Sequence, residues 1–454
     1  MRLVSTTINR KTNLLITVAL MISLGAFSQE NSPYSRYGMG DLVPSASMTS
    51  RQMGGIAAGM VDYDKRYDLK FQYPKAQTIN FLNPASYSRA KLTTFDVGFE
   101  IDSRALVVPN TGEKFKSTNA LITYLQLGFP LSRKRNMGMT IGLRPISRIS
   151  YKIGSASYAV DPNSHQPIDS LQSLYQGDGG SYQATIGLAK GWKNFSIGVN
   201  TGYYFGNKNY STRTMFINDT VSYLKSNYEN QTSFGGIFYN LGVQYSIQLN
   251  KTTKMVLGAY GALTQDFKTK QNKTVETFDF DGTGGNYRID SVYGEKNVRG
   301  TLTTPGNYSV GFVITRDDKW TFGADYQTTL WDDFSFNGAK DAVQNTWMVK
   351  IGGQIIPNAY NLKNYFARVS YRLGVNFGPD YVKLQEENLP QIGFSGGFGL
   401  PVRKGNYSNQ YSYINIGLEY GRRGNTNNPL RENLFRITMG FTLSDLWFIK
   451  RKYE

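Results

Sequence analysis

From Leu92 onward, apolar and polar residues alternate along the chain in segments of about 10 residues. The clearest segment is 239–249, where Tyr, Leu, Val, Tyr, Ile and Leu occupy the odd positions and Asn, Gly, Gln, Ser and Gln the even ones. Segments 320–326, 414–420 and 435–443 repeat the pattern. A period of two belongs to a β-strand with two unlike faces, so the chain is predicted to be all-β.

The connections between these segments alternate in length. Six are short, at 130–136, 191–194, 250–253, 317–319, 357–363 and 403–406, and seven polar stretches are longer, at 103–118, 152–180, 207–232, 268–305, 331–344, 376–388 and 423–431. Outer-membrane barrels have this arrangement, whereas a soluble β-sandwich has no reason to segregate its loops by length. We therefore predict a 14-stranded antiparallel transmembrane β-barrel over residues 92–446. Closure is expected because lipid cannot satisfy an open sheet edge.

The N-terminus has the features of a secretory signal peptide. Arg2, Arg10 and Lys11 precede an apolar run at 14–27, which ends in small residues. The run is too short and too interrupted for a spanning helix, which needs about 20 apolar residues. Residues 1–28 are therefore predicted to direct export to the outer membrane of a Gram-negative cell, and 447–454 to form a periplasmic tail.

Composition argues against an enzyme. The chain has no Cys and one His, His165, which lies in a polar stretch, so thiol chemistry is excluded and a histidine base has a single poor candidate. No metal or cofactor is expected. The net charge of +17 is dispersed without a recognition helix or a long basic run, so nucleic acid is not expected as a partner. This charge suits anionic outer-membrane lipid, lipopolysaccharide or acidic proteins.

Residues 29–91 differ from the alternating region, being irregular and rich in Gly and Ala. This stretch is long for a connection, and a barrel of this width has a lumen to fill, so it is predicted to be a plug, or hatch. It contains Asn83-Pro84-Ala85 and opens with Ser-Pro-Tyr-Ser-Arg-Tyr-Gly-Met-Gly-Asp at 32–41. In these motifs the chain resembles the FadL family of outer-membrane hydrophobic-compound transporters, of the kind found in Bacteroidota. The resemblance implies a 14-stranded barrel closed by an N-terminal hatch that carries the Asn-Pro-Ala motif.

The family resemblance also implies a lateral exit into the membrane at an inward kink of the third strand. Here the third strand, 138–149, contains Pro145, which cannot donate to the ladder. Arg144 and Pro145 are therefore predicted to border a lateral opening, with a simple bulge as the alternative.

If the apolar faces point to lipid, charged residues on the opposite faces point into the lumen. Because buried charges need partners, these residues are predicted to pair with one another or with the hatch rather than to recognise a ligand. They are Asp96, Glu100, Asp325, Lys350, Arg368, Arg372, Glu419 and Arg436.

Besides an adhesin or receptor that uses the long Tyr- and Asn-rich loops, two functions remain open from the sequence. The first is passive uptake of small hydrophobic molecules through a hatch-gated lumen toward the lateral exit. The alternative is a non-transporting barrel subunit of an outer-membrane secretion or barrel-assembly complex, with protein partners.

Overall fold

The computed structural model describes residues 32–61, 78–109, 111–160, 163–217, 224–281, 286–361, 363–384, 387–403 and 411–445. The predicted signal peptide (1–28) and C-terminal tail (447–454) lie outside the described residues.

The N-terminal stretch, which we call the hatch, contains short elements over its described residues, 32–61 and 78–91. They are a 3₁₀ turn at Pro33–Arg36, strand β1 at Asp41–Leu42, helix α1 at Met48–Arg51 and a second 3₁₀ turn at Pro84–Arg89. In the part of the chain that the structure describes, no helix is long and apolar enough to cross a membrane.

Strands dominate the rest of the chain. They are β2 (Thr93–Val107), β3 (Lys114–Ser132), β4 (Met137–Val160), β5 (Pro167–Trp192), β6 (Phe195–Phe216), β7 (Lys225–Gln248), β8 (Thr253–Ala262), β9 (Gln265–Phe280), β10 (Asn286–Thr304), β11 (Asn307–Arg316), β12 (Trp320–Thr329), β13 (Ser335–Phe336), β14 (Thr346–Ile355), β15 (Ser370–Leu384), β16 (Glu387–Arg403), β17 (Tyr411–Arg423) and β18 (Arg431–Asp445).

Fourteen of these strands form a closed antiparallel barrel, which confirms the predicted fold. Its wall consists of β2 to β8, β11, β12 and β14 to β18, each paired with its neighbours in the wall. The sheet closes where β18 pairs with β2, from Asp445 opposite Thr93 to Arg431 opposite Val107. No wall strand has a wholly open edge, as lipid requires.

The apolar faces of the wall point outward. On β7, Leu241 is 55% exposed and Val243 is 36% exposed. Gln244, the next residue on the same strand, is buried and donates a hydrogen bond to Ala58 of the hatch. Exposed apolar side chains recur at alternate positions on the other wall strands, such as Phe435, Ile437 and Met439 of β18. This is the orientation expected of a barrel in lipid.

Several stretches predicted as long outer loops are strands instead. The region 152–180 is mostly the outer ends of β4 and β5, and 268–305 is the hairpin β9–β10. At about 3.3 Å per residue, the 24 residues of β7 extend roughly 75 Å, about twice the length a tilted strand needs to cross a bilayer. The prediction was wrong here because polar ribbons in water still complete their backbone hydrogen bonds by pairing with each other.

Hatch and wall share buried cores at two levels. Toward the outer end, Tyr34 packs into an apolar cluster with residues from the wall and its outer extensions: Tyr204, Phe238, Phe267, Leu302, Trp331, Phe334, Tyr381, Val382 and Leu389. Deeper in the lumen, Met53 and Ile56 of the hatch pack on Val313. The hatch therefore occupies the lumen as part of the folded core.

Candidate functional site: the plugged lumen and a seam in its wall

Arg51, at the end of α1, ties the hatch to the wall. Its Nη1 lies 2.6 Å from Glu100 Oε2, and its Nε and Nη2 each donate to Glu419 at 2.8 Å. Glu100 comes from β2 and Glu419 from β17, on either side of β18. A planar guanidinium with two carboxylates is a favourable way to bury these charges.

The ion pairs continue from this point toward the outer end of the lumen. Arg436 bridges Glu419 (3.9 Å) and Asp102 (3.7 Å), and Asp102 lies 3.4 Å from Arg104. Arg104 in turn contacts Asp41 of the hatch at 2.5 Å.

The outermost group of charges gathers around Arg423. Its guanidinium pairs with Asp380 at 2.7 Å and with Asp41 and Glu432 at 3.4 Å each. The hatch joins this group a second time, because Ser32 hydrogen-bonds to Glu432. The charges thus form one continuous network that holds the hatch through Arg51 and Asp41.

Asp325 and Lys350 hold the middle of the hatch. Asp325 Oδ2 accepts hydrogen bonds from the backbone N–H groups of Ala57 (2.5 Å) and Ala58 (2.8 Å). The side chain of Lys350 packs against Gly55, and its Nζ donates to Gln327 at 2.6 Å.

Two further predicted lumen charges use neutral partners. Buried Arg372 donates to Gln354 (2.7 Å), to Gln52 of the hatch (2.8 Å) and to Asn415 (2.6 Å). Buried Asp96 accepts from the hydroxyl of Tyr124 at 3.1 Å, and the same hydroxyl accepts from the backbone N–H of Met48.

The structure places Arg368 apart from the other predicted lumen residues. It belongs to a 3₁₀ turn, Phe366–Arg368, in the connection between β14 and β15, where its guanidinium lies over the ring of Tyr365. The pattern misassigned it because β15 begins only at Ser370, so its position has no strand parity.

The Asn83-Pro84-Ala85 motif fastens the hatch near the short-turn end. Asn83 caps the 3₁₀ turn by accepting from Ala85 N at 3.1 Å, and its Nδ2 donates to Ala58 O at 2.7 Å. Pro84 occupies the start of the turn, where a missing N–H costs nothing. The motif therefore joins two separate stretches of the hatch.

Glycines on the inner wall let the hatch backbone approach closely. A Cβ built on Gly258 of β8 would lie 1.8 Å from Ala58 O, and one on Gly138 of β4 would lie 1.9 Å from Tyr87 O. Only glycine permits these contacts, because any side chain would displace the hatch or the strand.

The wall contains a seam between β3 and β4. Their ladder runs only from Ser132–Met137 to Leu125–Leu143 and stops one residue before Arg144. Among the described residues, β3 has no ladder partner on this edge over 114–124. On its other edge β4 pairs with β5 over its whole length, with a register shift at Pro145.

The hatch lies in this seam. β1 pairs with β4 at Asp41–Arg148 and Leu42–Ser147, and Leu42, which is 39% exposed, is one of the residues that line the lumen cavity. Arg144 turns inward, where its Nη2 donates to Gln183 Oε1 at 2.7 Å and its Nη1 to Ser45 O at 3.2 Å. Arg144 and Pro145, which were predicted to border a lateral opening, thus lie directly after the end of the β3–β4 ladder.

A cavity of about 440 Å³ lies within the lumen between hatch and outer cluster. Its lining mixes charged groups such as Arg51, Arg144 and Lys350 with apolar ones such as Tyr204 and Phe267. Within the described ranges, no group of His, Asp or Glu side chains is arranged to hold a metal ion.

Sequence reasoning missed seven of the ten residues of the ion network: Asp41, Arg51, Asp102, Arg104, Asp380, Arg423 and Glu432. Strand parity could have found Asp102 and Arg104, which share a face of β2 with Asp96 and Glu100. Arg51 and Asp41 lie in elements of four and two residues, which are too short for a periodic pattern to indicate which way a side chain points.

Comparisons with known proteins agree with this architecture. A family model, BamG, matches residues 10–454. Among solved structures, the toluene transporter TodX of Pseudomonas putida is 15% identical over 90% of this chain and 100% of its own, with a TM-score of 0.52. A FadL homologue of Pseudomonas aeruginosa is 11% identical over 90% and 100%, also at 0.52. The CymD monoaromatic hydrocarbon channel is 14% identical over 88% and 98%, at 0.50. No curated protein matches the chain. At these identities the solved structures show the fold, that of FadL-type outer-membrane channels.

Proposed function

This chain belongs to the BamG family, and we propose that it is a plugged barrel subunit of a larger outer-membrane complex for barrel assembly or secretion. The observation that carries the proposal is the way the hatch is held. Opening the lumen would break the ion pairs of Arg51 and Asp41 together with the hydrogen bonds of Asp325, in a low-dielectric interior where orphaned charges are costly.

The outer extensions of the wall support a role in contacting other proteins. They rise beyond the apolar band of the barrel, yet they carry exposed apolar side chains: Tyr158 and Val292 are 68% and 67% exposed, and Ile289 and Tyr293 are also exposed. Apolar side chains grouped in water favour burial against a partner. In addition, β10 pairs with β9 on one side, whereas its other edge pairs only at Leu302 and Thr303 among the described residues.

Purification in mild detergent tests this proposal. We expect stoichiometric outer-membrane proteins to accompany the tagged chain, and a Val292→Lys variant to lose at least one of them while its barrel stays folded. Ser291→Lys, on the same strand, adds the same charge without removing an apolar contact and should keep every partner. A wild-type chain that purifies alone after chemical cross-linking would refute the subunit role.

Passive uptake of small hydrophobic molecules is the second candidate, and the seam favours it. A molecule reaching the cavity would have a route outward between β3 and β4 if the hatch segment around Leu42 moved aside. Uptake of labelled toluene by a deletion strain, with and without the restored gene, separates the two functions. Equal uptake by both strains would remove this candidate and leave the subunit role unaffected.

A further inference from the structure

The two strands that flank the seam carry basic but no acidic side chains. The basic residues are Lys114 and Lys116 on β3 and Arg144, Arg148 and Lys152 on β4. Glu113 comes directly before Lys114 in the chain, but it lies in the loop that precedes β3. Asp41 of the hatch pairs with Arg148 in the ladder, but its carboxylate pairs with Arg104 and Arg423, so the positive charge of these two strands attracts anions.

Lys116 and Arg148 lie just beyond the apolar band. On β3, Ile122 and Leu125 are 54% and 43% exposed toward the bilayer, and Lys116 is exposed further out on the same face as Ile122. On β4, the outward-facing Leu143 precedes Arg148, with the register shift between them.

The aromatic residues of the neighbouring strand locate the same boundary. Tyr182 of β5, which is exposed, pairs with Pro145, and Arg148 lies beyond this pair. Tyrosines are enriched at the membrane interface of barrels. Arg148 is therefore placed at the level of the outer head groups, and Lys116 lies further out on β3.

Arg148 directs its guanidinium into the seam. Its Nη2 donates to Asn119 Oδ1 across the gap at 3.2 Å, and no carboxylate among the described residues lies within ion-pair distance of it. The remaining N–H groups of this planar fork can bind phosphate oxygens.

We infer that the outer rim of the seam binds a phosphorylated glycolipid of the outer leaflet. Lys116 and Arg148 hold its phosphate groups, and Ile122 and Leu143 contact its acyl chains. A ligand with phosphate above and hydrocarbon below matches cations above an apolar surface. A protein segment bound at the seam would not require the cations. The inference does not depend on the proposed function.

Binding of rough-type lipopolysaccharide to the purified full-length chain tests the inference by native mass spectrometry. We expect Lys116→Gln/Arg148→Gln to bind at least about tenfold more weakly than the wild type, since each charge-assisted contact contributes about one such factor. The same lipopolysaccharide after dephosphorylation should bind the wild type as weakly. The matched control is Lys268→Gln/Arg422→Gln. It removes one positive charge from β9 and one from β17, both away from the seam, and should bind normally.

Four results would overturn the inference. The first three are unchanged binding by the seam variant, equal loss of binding by the control, and loss of a co-purifying protein instead of the glycolipid. The fourth is saturation by inorganic phosphate alone at the same affinity, because the acyl chains would then contribute nothing. Heat-modified migration on gels verifies that each variant forms the barrel.

Discussion

At the scale of the residue, the hatch depends on a few buried charges. Removing one partner of such a pair leaves the others desolvated and unpaired, at a cost of about 3–5 kcal/mol. We therefore expect Arg51→Met to lower the apparent thermal midpoint of the barrel in detergent, because Glu100 and Glu419 lose their guanidinium. The triple variant that also carries Glu100→Gln and Glu419→Gln should recover much of the loss. If Arg51→Met is as stable as the wild type, the ion pair does not hold the hatch.

A second residue prediction concerns the glycine contacts. Gly258→Ala should displace the hatch near Ala58, since the new Cβ would lie 1.8 Å from a carbonyl oxygen. The expected result is faster cleavage of the hatch by added protease in detergent. Gly154→Ala provides the control, because a Cβ there meets nothing within 4 Å. Equal protection of both variants would show that the strand yields instead of the hatch.

At the scale of the element, the hairpin β9–β10 is separable from the barrel. In the membrane, β7 pairs with β8, whereas it pairs with β9 only from Lys225 to Gly235. We expect a chain in which Asn-Gly replaces residues 272–297 to form the heat-modifiable barrel with little change in thermal midpoint. The reason is that Phe267 and Leu302, which belong to the outer cluster, remain. Failure of this variant to reach the outer membrane as a barrel would show that the hairpin is needed for folding.

At the scale of the whole molecule, the N-terminal stretch of the chain packs inside its own barrel. The hatch contacts wall strands on all sides, from Glu100 on β2 through Asp325 on β12 to Glu419 on β17. In planar bilayers we expect the wild type to give little ion current, and a chain lacking residues 32–90 to give a large, steady conductance. A leaky wild-type barrel would show that the lumen is continuous despite the hatch.

The sequence alone determined the class of the fold, the strand number and the side of the wall that faces lipid. The lipid-facing side follows from the alternation within each strand. The fold class and the strand number follow from that alternation together with the order of short and long connections along the chain. Leu241 and Val243 face outward because a period of two leaves no other arrangement in a membrane. Local patterns failed at the outer ends of β4 and β5, which were predicted to be a loop. A polar stretch outside the membrane can form either a loop or a paired strand, and its sequence does not distinguish the two.

Only the tertiary structure decided which charges meet and where the wall opens. Arg51 and Glu419 are 368 positions apart, and packing of the hatch inside the barrel brings Arg51 Nε within 2.8 Å of Glu419 Oε1. Arg368 was predicted to face the lumen but lies in a turn just before β15. Alternation applies only within a strand, so it could not predict where this side chain points. The seam likewise depends on β3 and β4 diverging after Leu143, and the hatch filling that space is irregular backbone whose path no periodic pattern encodes.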